Sequence, residues 1–341
     1  MRAVGYRHPA ALEEPGYLED LELPDPQPGP HDLLVAVEAV GVNPVDLKVR
    51  ARELPPPGQW RQLGWDATGT VVACGAGVEG FSPGERVWYA GALQRPGCHA
   101  QLHAVDHRLA SRAPASLSPA QAAAMPLTAI TAWELLFERL AIPQHPSACR
   151  GEVLLVSGAA GGVGSLLLQL ARRLTGLTLV GTASRPESRA WALSCGAHHV
   201  LDHRQQLRPQ LEALGIAAVQ HVASLTHTGE HYAALVDLLA PQGRFALIDD
   251  PDPADLNVLA LKRKSLSLHW ELMFTRSLYE TADMARQGAL LAQVAELVEQ
   301  GVLTSTLTVQ GGPICSARLI EAHRRQATGR CVGKQVLVGW S

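Results

Sequence analysis

Apolar and polar positions divide this chain into two textures. Up to about residue 126 the apolar stretches are short and interrupted, as in Leu33-Leu34-Val35-Ala36-Val37-Glu38-Ala39-Val40 and Thr70-Val71-Val72-Ala73, and Pro and Gly punctuate them. The run Pro24-Asp25-Pro26-Gln27-Pro28-Gly29-Pro30 reads as an extended loop before a strand. Such patterning predicts a compact, mostly antiparallel β domain. From about Pro126, apolar runs beginning near Val153, Leu177, His199, Val219, Arg244 and Ser265 are separated mostly by helix-like segments. Six strands alternating with helices predict an α/β, doubly wound parallel sheet. Beyond Glu271 the pattern predicts helices over 280–300 and 317–326 and a last strand over 333–338.

One segment carries chemistry on its face. Val153-Leu154-Leu155-Val156-Ser157 passes through Gly158-Ala159-Ala160-Gly161-Gly162-Val163-Gly164 into a run with helical apolar spacing, Ser165 to Ala171. Strand, glycine turn and helix in this order predict a Rossmann nucleotide loop: glycines let the backbone approach a pyrophosphate, and the helix N-terminus presents free N–H groups. The candidate phosphate cradle is Ala160, Gly161, Gly162, Val163 and Gly164. About 20 residues further on, where such folds meet the adenosine ribose, an acid that would bind a 2′-hydroxyl is missing. Ser184, Arg185, Ser188 and Arg189 stand there instead. Hydroxyls and guanidinium groups suit a 2′-phosphate, which favours NADPH over NADH. The segments at Leu225 and Leu247 follow later strands, where open α/β sheets bind ligands.

Composition narrows the classes. The chain has 341 residues, 47% of them hydrophobic, enough for two domains. A formal net charge of −3 without a long basic run argues against nucleic-acid and membrane-surface partners. No signal-peptide core opens the sequence and no apolar run is long enough for a membrane span, so a cytoplasmic protein is expected. Six scattered cysteines with no Cys-x-x-Cys pair read as reduced thiols.

Several strings resemble the medium-chain dehydrogenase/reductase superfamily over essentially the full length: Gly41-Val42-Asn43-Pro44-Val45-Asp46, Gly64-Trp65-Asp66-Ala67-Thr68-Gly69, Pro126-Leu127-Thr128-Ala129-Ile130-Thr131-Ala132-Trp133-Glu134, the glycine loop, and Gly333-Lys334. Together they look like the NADPH:quinone reductase branch. Val87-Trp88-Tyr89-Ala90-Gly91, Ala183-Ser184-Arg185-Pro186-Glu187-Ser188, Phe245-Ala246-Leu247-Ile248-Asp249-Asp250 and Met273-Phe274-Thr275-Arg276-Ser277 are similar to the zinc-type alcohol dehydrogenase-like proteins. The resemblance implies a Rossmann domain over 127–271 inserted into a mostly antiparallel, GroES-like catalytic domain made of 1–126 and 272–341. It implies, by analogy, a homodimer joined through edge strands.

The group name implies a metal, but in zinc-bearing relatives a Cys stands where this chain has Asn43 and a His-Glu pair where it has Trp65-Asp66. Tryptophan cannot ligate zinc, and no metal ligands are expected. His99 and His103, four residues apart in a predicted strand, are about 13 Å from each other and too distant to share an ion. Without a metal to acidify an alcohol, the expected reaction is hydride transfer from NADPH to a quinone or α,β-unsaturated carbonyl. The resemblance places Asn43 and Thr128 beside the nicotinamide; their structural alternatives are a turn-stabilising Asn and a helix N-cap. Lys48, where relatives often carry Tyr, is a candidate proton donor or a solvated cation, and Asp46 either pairs with it or caps a turn. Trp65, Trp88 and Phe274 wall an acceptor pocket or belong to the core. Arg276 meets an anionic group or makes an ion pair. For the 2′-phosphate the resemblance adds His203 to Ser184 and Ser188. The other readings are a zinc-dependent alcohol dehydrogenase and a non-catalytic NADPH-binding sensor or partner protein.

Overall fold

The structure, a computed structural model, describes residues 1–340. It contains two compact units, Thr131–Met273 and Met1–Ile130 together with Phe274–Ser341.

Thr131–Met273 is built on six parallel strands in the order His199–Leu201, Thr178–Thr182, Val153–Ser157, Val219–Ser224, Leu239–Leu247, Ser267–Trp270. Val153–Ser157 is buried throughout, as a central strand covered on both faces requires. Leu155, Val180, Val222, Phe245 and Leu247 form a core with Tyr232 and Leu235 from the helix Thr228–Leu238. The chain runs outward from Val153–Ser157 to one edge and returns to its other side at Val219–Ser224. That reversal opens a crevice at the C-terminal ends of these two strands.

The strand expected to begin at Arg244 starts at Leu239. The four residues between them bulge, with Gln242 at φ 66, and pairing with the neighbouring strand resumes at Arg244. The apolar pattern marked only the resumption.

The other unit carries a seven-stranded sheet, mostly antiparallel, around the ten-residue strand Asp32–Gly41. Ala67–Cys74 pairs along its length, and Lys334–Val338 joins near its C-terminal end, with Val336 opposite Gly41. Residues from opposite ends of the sequence thereby become neighbours. The helix expected over 280–300 begins only at Arg286. Glu280 sits at φ 45 and Thr281 Oγ1 donates to Asp283, which fold the preceding residues into turns. Of the two histidines expected in one strand, only His103 lies in it, Leu102–Asp106. His99 is in the irregular segment before, where its backbone bridges Val4 and Leu63.

Candidate functional site

The nucleotide end of the parallel sheet begins at Ser157. Gly158 takes φ 77, a left-handed conformation that suits glycine, and a side chain there would come within 2.9 Å of Thr226 Cγ2. The helix Gly162–Leu174 follows with Gly161 as N-cap and no side chain capping it. Its leading N–H groups are left for an anion, where the helix dipole favours negative charge. A Cβ on Gly164 would lie 2.6 Å from Gly158 O and 2.7 Å from Ala159 O. Only a glycine lets the helix start lie this close against the loop. This cradle, made by Ala160, Gly161, Gly162, Val163 and Gly164, fits a dinucleotide pyrophosphate.

A cavity of about 360 Å³ opens beside the loop, lined by Gly158, Thr182, His203, Arg204, His227 and His231 among others. Of the predicted ribose-side residues His203 lines it, while Ser184, Arg185, Ser188 and Arg189 follow the strand Thr178–Thr182, whose last residue lines it too. Arg185 Nη2 donates to Ser188 Oγ at 3.0 Å and its Nη1 lies 3.4 Å from Glu187. Arg189 Nη1 donates to Ala183 O at 3.4 Å, and Ser184 O accepts from Arg204 Nη2 at 3.1 Å. Arg204 escaped the sequence reading, although its place directly after His203 and the strand His199–Leu201 was a usable signal. Its guanidinium holds the Asp202 carboxyl down at about 2 through paired hydrogen bonds. His203, 5.9 Å between ring centroids from His231, is lowered by burial and by that neighbour. Leu225 N donates to Ser157 O at 3.2 Å beside the glycine turn. Leu247 is wholly buried in the sheet core, so its side chain packs rather than lines the crevice.

In the other unit Asn43 ends the loop before the helix Pro44–Arg52. A buried polar network surrounds it. Lys334 Nζ donates to Val42 O at 3.0 Å, to Asn43 Oδ1, and to Asp66 Oδ2 at 2.9 Å. Asn43 Nδ2 donates to the same Asp66 oxygen at 3.1 Å, while Asp66 Oδ1 accepts from Leu127 N at 3.0 Å. The Lys334 and Asp66 side chains are 4% and 0% exposed. Asp46 reaches back to accept from Asn43 N at 2.7 Å and from Gly64 N at 3.1 Å, which is the capping role. Burial pushes its carboxyl up to about 7 against the pull of those N–H groups and of Lys334.

Ammonium donates only and carboxylate accepts only, so Asn43 is held with oxygen toward Lys334 and nitrogen toward Asp66. Lys334 was quoted from the sequence only as part of a resemblance. Its signal was a lysine at the head of a strand that turns apolar from Val336. Lys48, on the helix after Asn43, is half-buried, and the cation that meets Asn43 is Lys334. Thr128 is inside the helix Pro126–Trp133 rather than at its N-cap, with Oγ1 donating to Met125 O at 3.0 Å.

Trp65, Trp88 and Phe274 are all buried; Trp65 donates to Ala92 O and meets Phe274 edge-on at 6.3 Å. Arg276 pairs with Asp283 at 3.0 Å.

Curated proteins and solved structures match this architecture. A zinc-type alcohol dehydrogenase-like protein of Staphylococcus aureus strain MSSA476 is 35% identical over 338 residues, 99% of both chains. The chain is a medium-chain dehydrogenase/reductase. Two family models match this dehydrogenase/reductase: an alcohol dehydrogenase GroES-like domain over 29–115 and a zinc-binding dehydrogenase over 195–337. A candidate zinc-dependent alcohol dehydrogenase protein from Rhizobium etli CFN 42 is 48% identical, with TM-score 0.95, covering 100% of this chain and 98% of that one. Two mycobacterial structures, each 26% identical over 99% of both chains, are one complexed with NADPH (TM-score 0.84) and one described as a quinone oxidoreductase (TM-score 0.80). The dehydrogenase/reductase therefore joins a nucleotide-binding Rossmann unit to a GroES-like unit. No helix among its described residues is long and apolar enough to cross a membrane.

Proposed function

We propose that this dehydrogenase/reductase is an NADPH-dependent reductase of quinones or α,β-unsaturated carbonyls that works without a catalytic zinc. The observation that carries the proposal is the Lys334 ammonium bonded to Asp66 and Asn43. At the positions where zinc-bearing relatives place thiolate and imidazole, this chain offers an amide and an indole. Of the two carboxyl groups beside them, Asp66 is paired with Lys334, and Asp46 accepts from the Asn43 and Gly64 N–H groups. That donor set does not fit a zinc ion.

NADPH, when bound, supplies hydride. The chain's own groups bind and orient. The uncapped start of the helix Gly162–Leu174 receives the pyrophosphate, and Ser184, Arg185, Ser188, Arg189, His203 and Arg204 are assigned to the 2′-phosphate. Asn43, locked by Lys334 and Asp66, keeps a second Nδ2 hydrogen to direct at a carbonyl oxygen that gains negative charge. Thr128 and Lys48 are assigned to the acceptor side. We assign a homodimer through the edge strand Ser267–Trp270, where Trp270 is 51% exposed; sedimentation at micromolar protein checks it.

The test of the function is NADPH oxidation with a panel of quinones and enones after chelator treatment. Turnover undiminished by the chelator is expected. Inertness across the panel, or activity that returns only with added zinc, refutes the reading.

A further inference from the structure

A separate cluster of metal-ligating side chains lies at the opposite ends of the same parallel strands. Glu152 directly precedes Val153–Ser157, and its backbone N–H donates to Cys149 O at 3.0 Å across a turn in which Cys149 takes φ 58 and Gly151 φ 85. His221, third in Val219–Ser224, pairs in register with Leu154. Its Nε2 lies 2.8 Å from Glu152 Oε2. One ligand atom from each of the three residues lies within 4.8 Å of the other two. The imidazole is 8% exposed, whereas Cys149 and Glu152 are half-buried and leave a solvent side open.

We propose that Cys149, Glu152 and His221 bind one zinc ion, with water as the fourth ligand. Sulfur, imidazole nitrogen and carboxylate oxygen form a donor set that zinc takes in tetrahedral geometry, with bonds of about 2.0–2.3 Å. A single carboxylate cannot satisfy calcium or magnesium, which want oxygen throughout. The ion enters between Nε2 and Oε2, replacing their hydrogen bond. The thiol proton leaves to solvent, one per ion, and the imidazole proton moves to Nδ1. Arg244, in register beside His221 on the neighbouring strand, favours the Cys149 thiolate by its charge.

Two features limit the affinity. Burial and the Glu152 carboxylate hold the Cys149 thiol above its ordinary range, so the ion must displace a firmly held proton. His221 Nδ1 is buried with no partner, so the bound imidazole lacks the outer hydrogen bond that ligating histidines normally make. That lack costs roughly 10–100-fold. The site is therefore labile and of about micromolar affinity, unlike a zinc site that a domain needs in order to fold. It ties the loop before Val153 to the strand carrying His221. It shares no residue with the nucleotide cradle or with Asn43 and Asp66.

The test uses the full chain, stripped with chelator and titrated with zinc against a competing chromophoric chelator. One equivalent is expected to bind, with affinity that rises with pH. Cys149→Ser and His221→Asn should each weaken it at least tenfold, with thermal unfolding in zinc-free buffer reporting whether each variant folds. If His221→Asn unfolds, Cys149→Ser at its half-buried position carries the test. Cobalt should give a thiolate charge-transfer band in the near ultraviolet that Cys149→Ser abolishes. Absence of saturable binding at micromolar zinc, binding indifferent to Cys149→Ser, or a cobalt spectrum without the thiolate band overturns the proposal.

Discussion

Replacing Lys334 by Met tests the polar network at its centre. Met matches the length of the lysine stem but carries no charge, so packing is nearly preserved while Asp66 is left buried without its counter-ion. At 2.9 Å and an effective dielectric of about 20, the lost attraction is about 6 kcal/mol. The ammonium no longer has to be desolvated, which returns part of this and leaves a net loss of about 3–5 kcal/mol, the range for breaking a buried pair from one side. Urea unfolding followed by tryptophan fluorescence measures it as the product of the m-value and the midpoint shift. The companion variant Lys334→Met with Asp66→Asn removes the stranded charge as well. Its loss should be clearly smaller than that of Lys334→Met alone, because the two residues act as one unit. A loss under about 1 kcal/mol for the single variant, or additive losses in the double, would refute the reasoning.

Gly164→Ala places a methyl group within 2.7 Å of two loop carbonyl oxygens, so the cradle must shift. Fluorescence titration should show NADPH affinity reduced at least tenfold, with a stability loss of about 1–3 kcal/mol. Arg185→Ala and Arg204→Ala should each weaken NADPH by about tenfold through lost charge-assisted bonds and leave NADH unchanged; equal effects on both coenzymes would count against the 2′-phosphate assignment. Acid should destabilise the protein. Burial lowers His99 to about 3 and His103 and His323 to about 4. Between pH 6.5 and about 4 the unfolded chain therefore holds three protons that the native state refuses. Asp46, raised to about 7, opposes with one proton held only by the native state. The balance of these four groups is two protons in favour of unfolding, a slope of about 2.7 kcal/mol per pH unit. Stability is thus present above pH 6.5 and lost on acidification, and thermal midpoints from pH 7.5 to 5 check it; a flat profile would contradict the burial of these rings as neutral groups.

Local physics made much of this protein readable from sequence. The run Val153–Ser157, its glycines and the helix after them announce themselves because a strand buried on both faces must be apolar and a phosphate turn needs residues without Cβ. All six parallel strands and the fold class follow from such short-range constraints, and the family from the resemblance of short strings along the chain. The serines and arginines after Thr182 were legible for the same reason, since they stand at a set distance from the loop.

Contacts between distant segments were not readable. Lys334 meets Asn43 only because the terminal strand pairs beside Asp32–Gly41, and no spacing rule links residues 291 positions apart. Arg204 reaches Ser184 because two neighbouring strands end together, and the same adjacency of Val153–Ser157 and Val219–Ser224 brings His221 to Glu152 and Cys149. The amino-acid sequence determined which elements form and what chemistry they carry, because those depend on near neighbours. Which charge faces which partner depended on strand register, which exists only once the sheets have assembled.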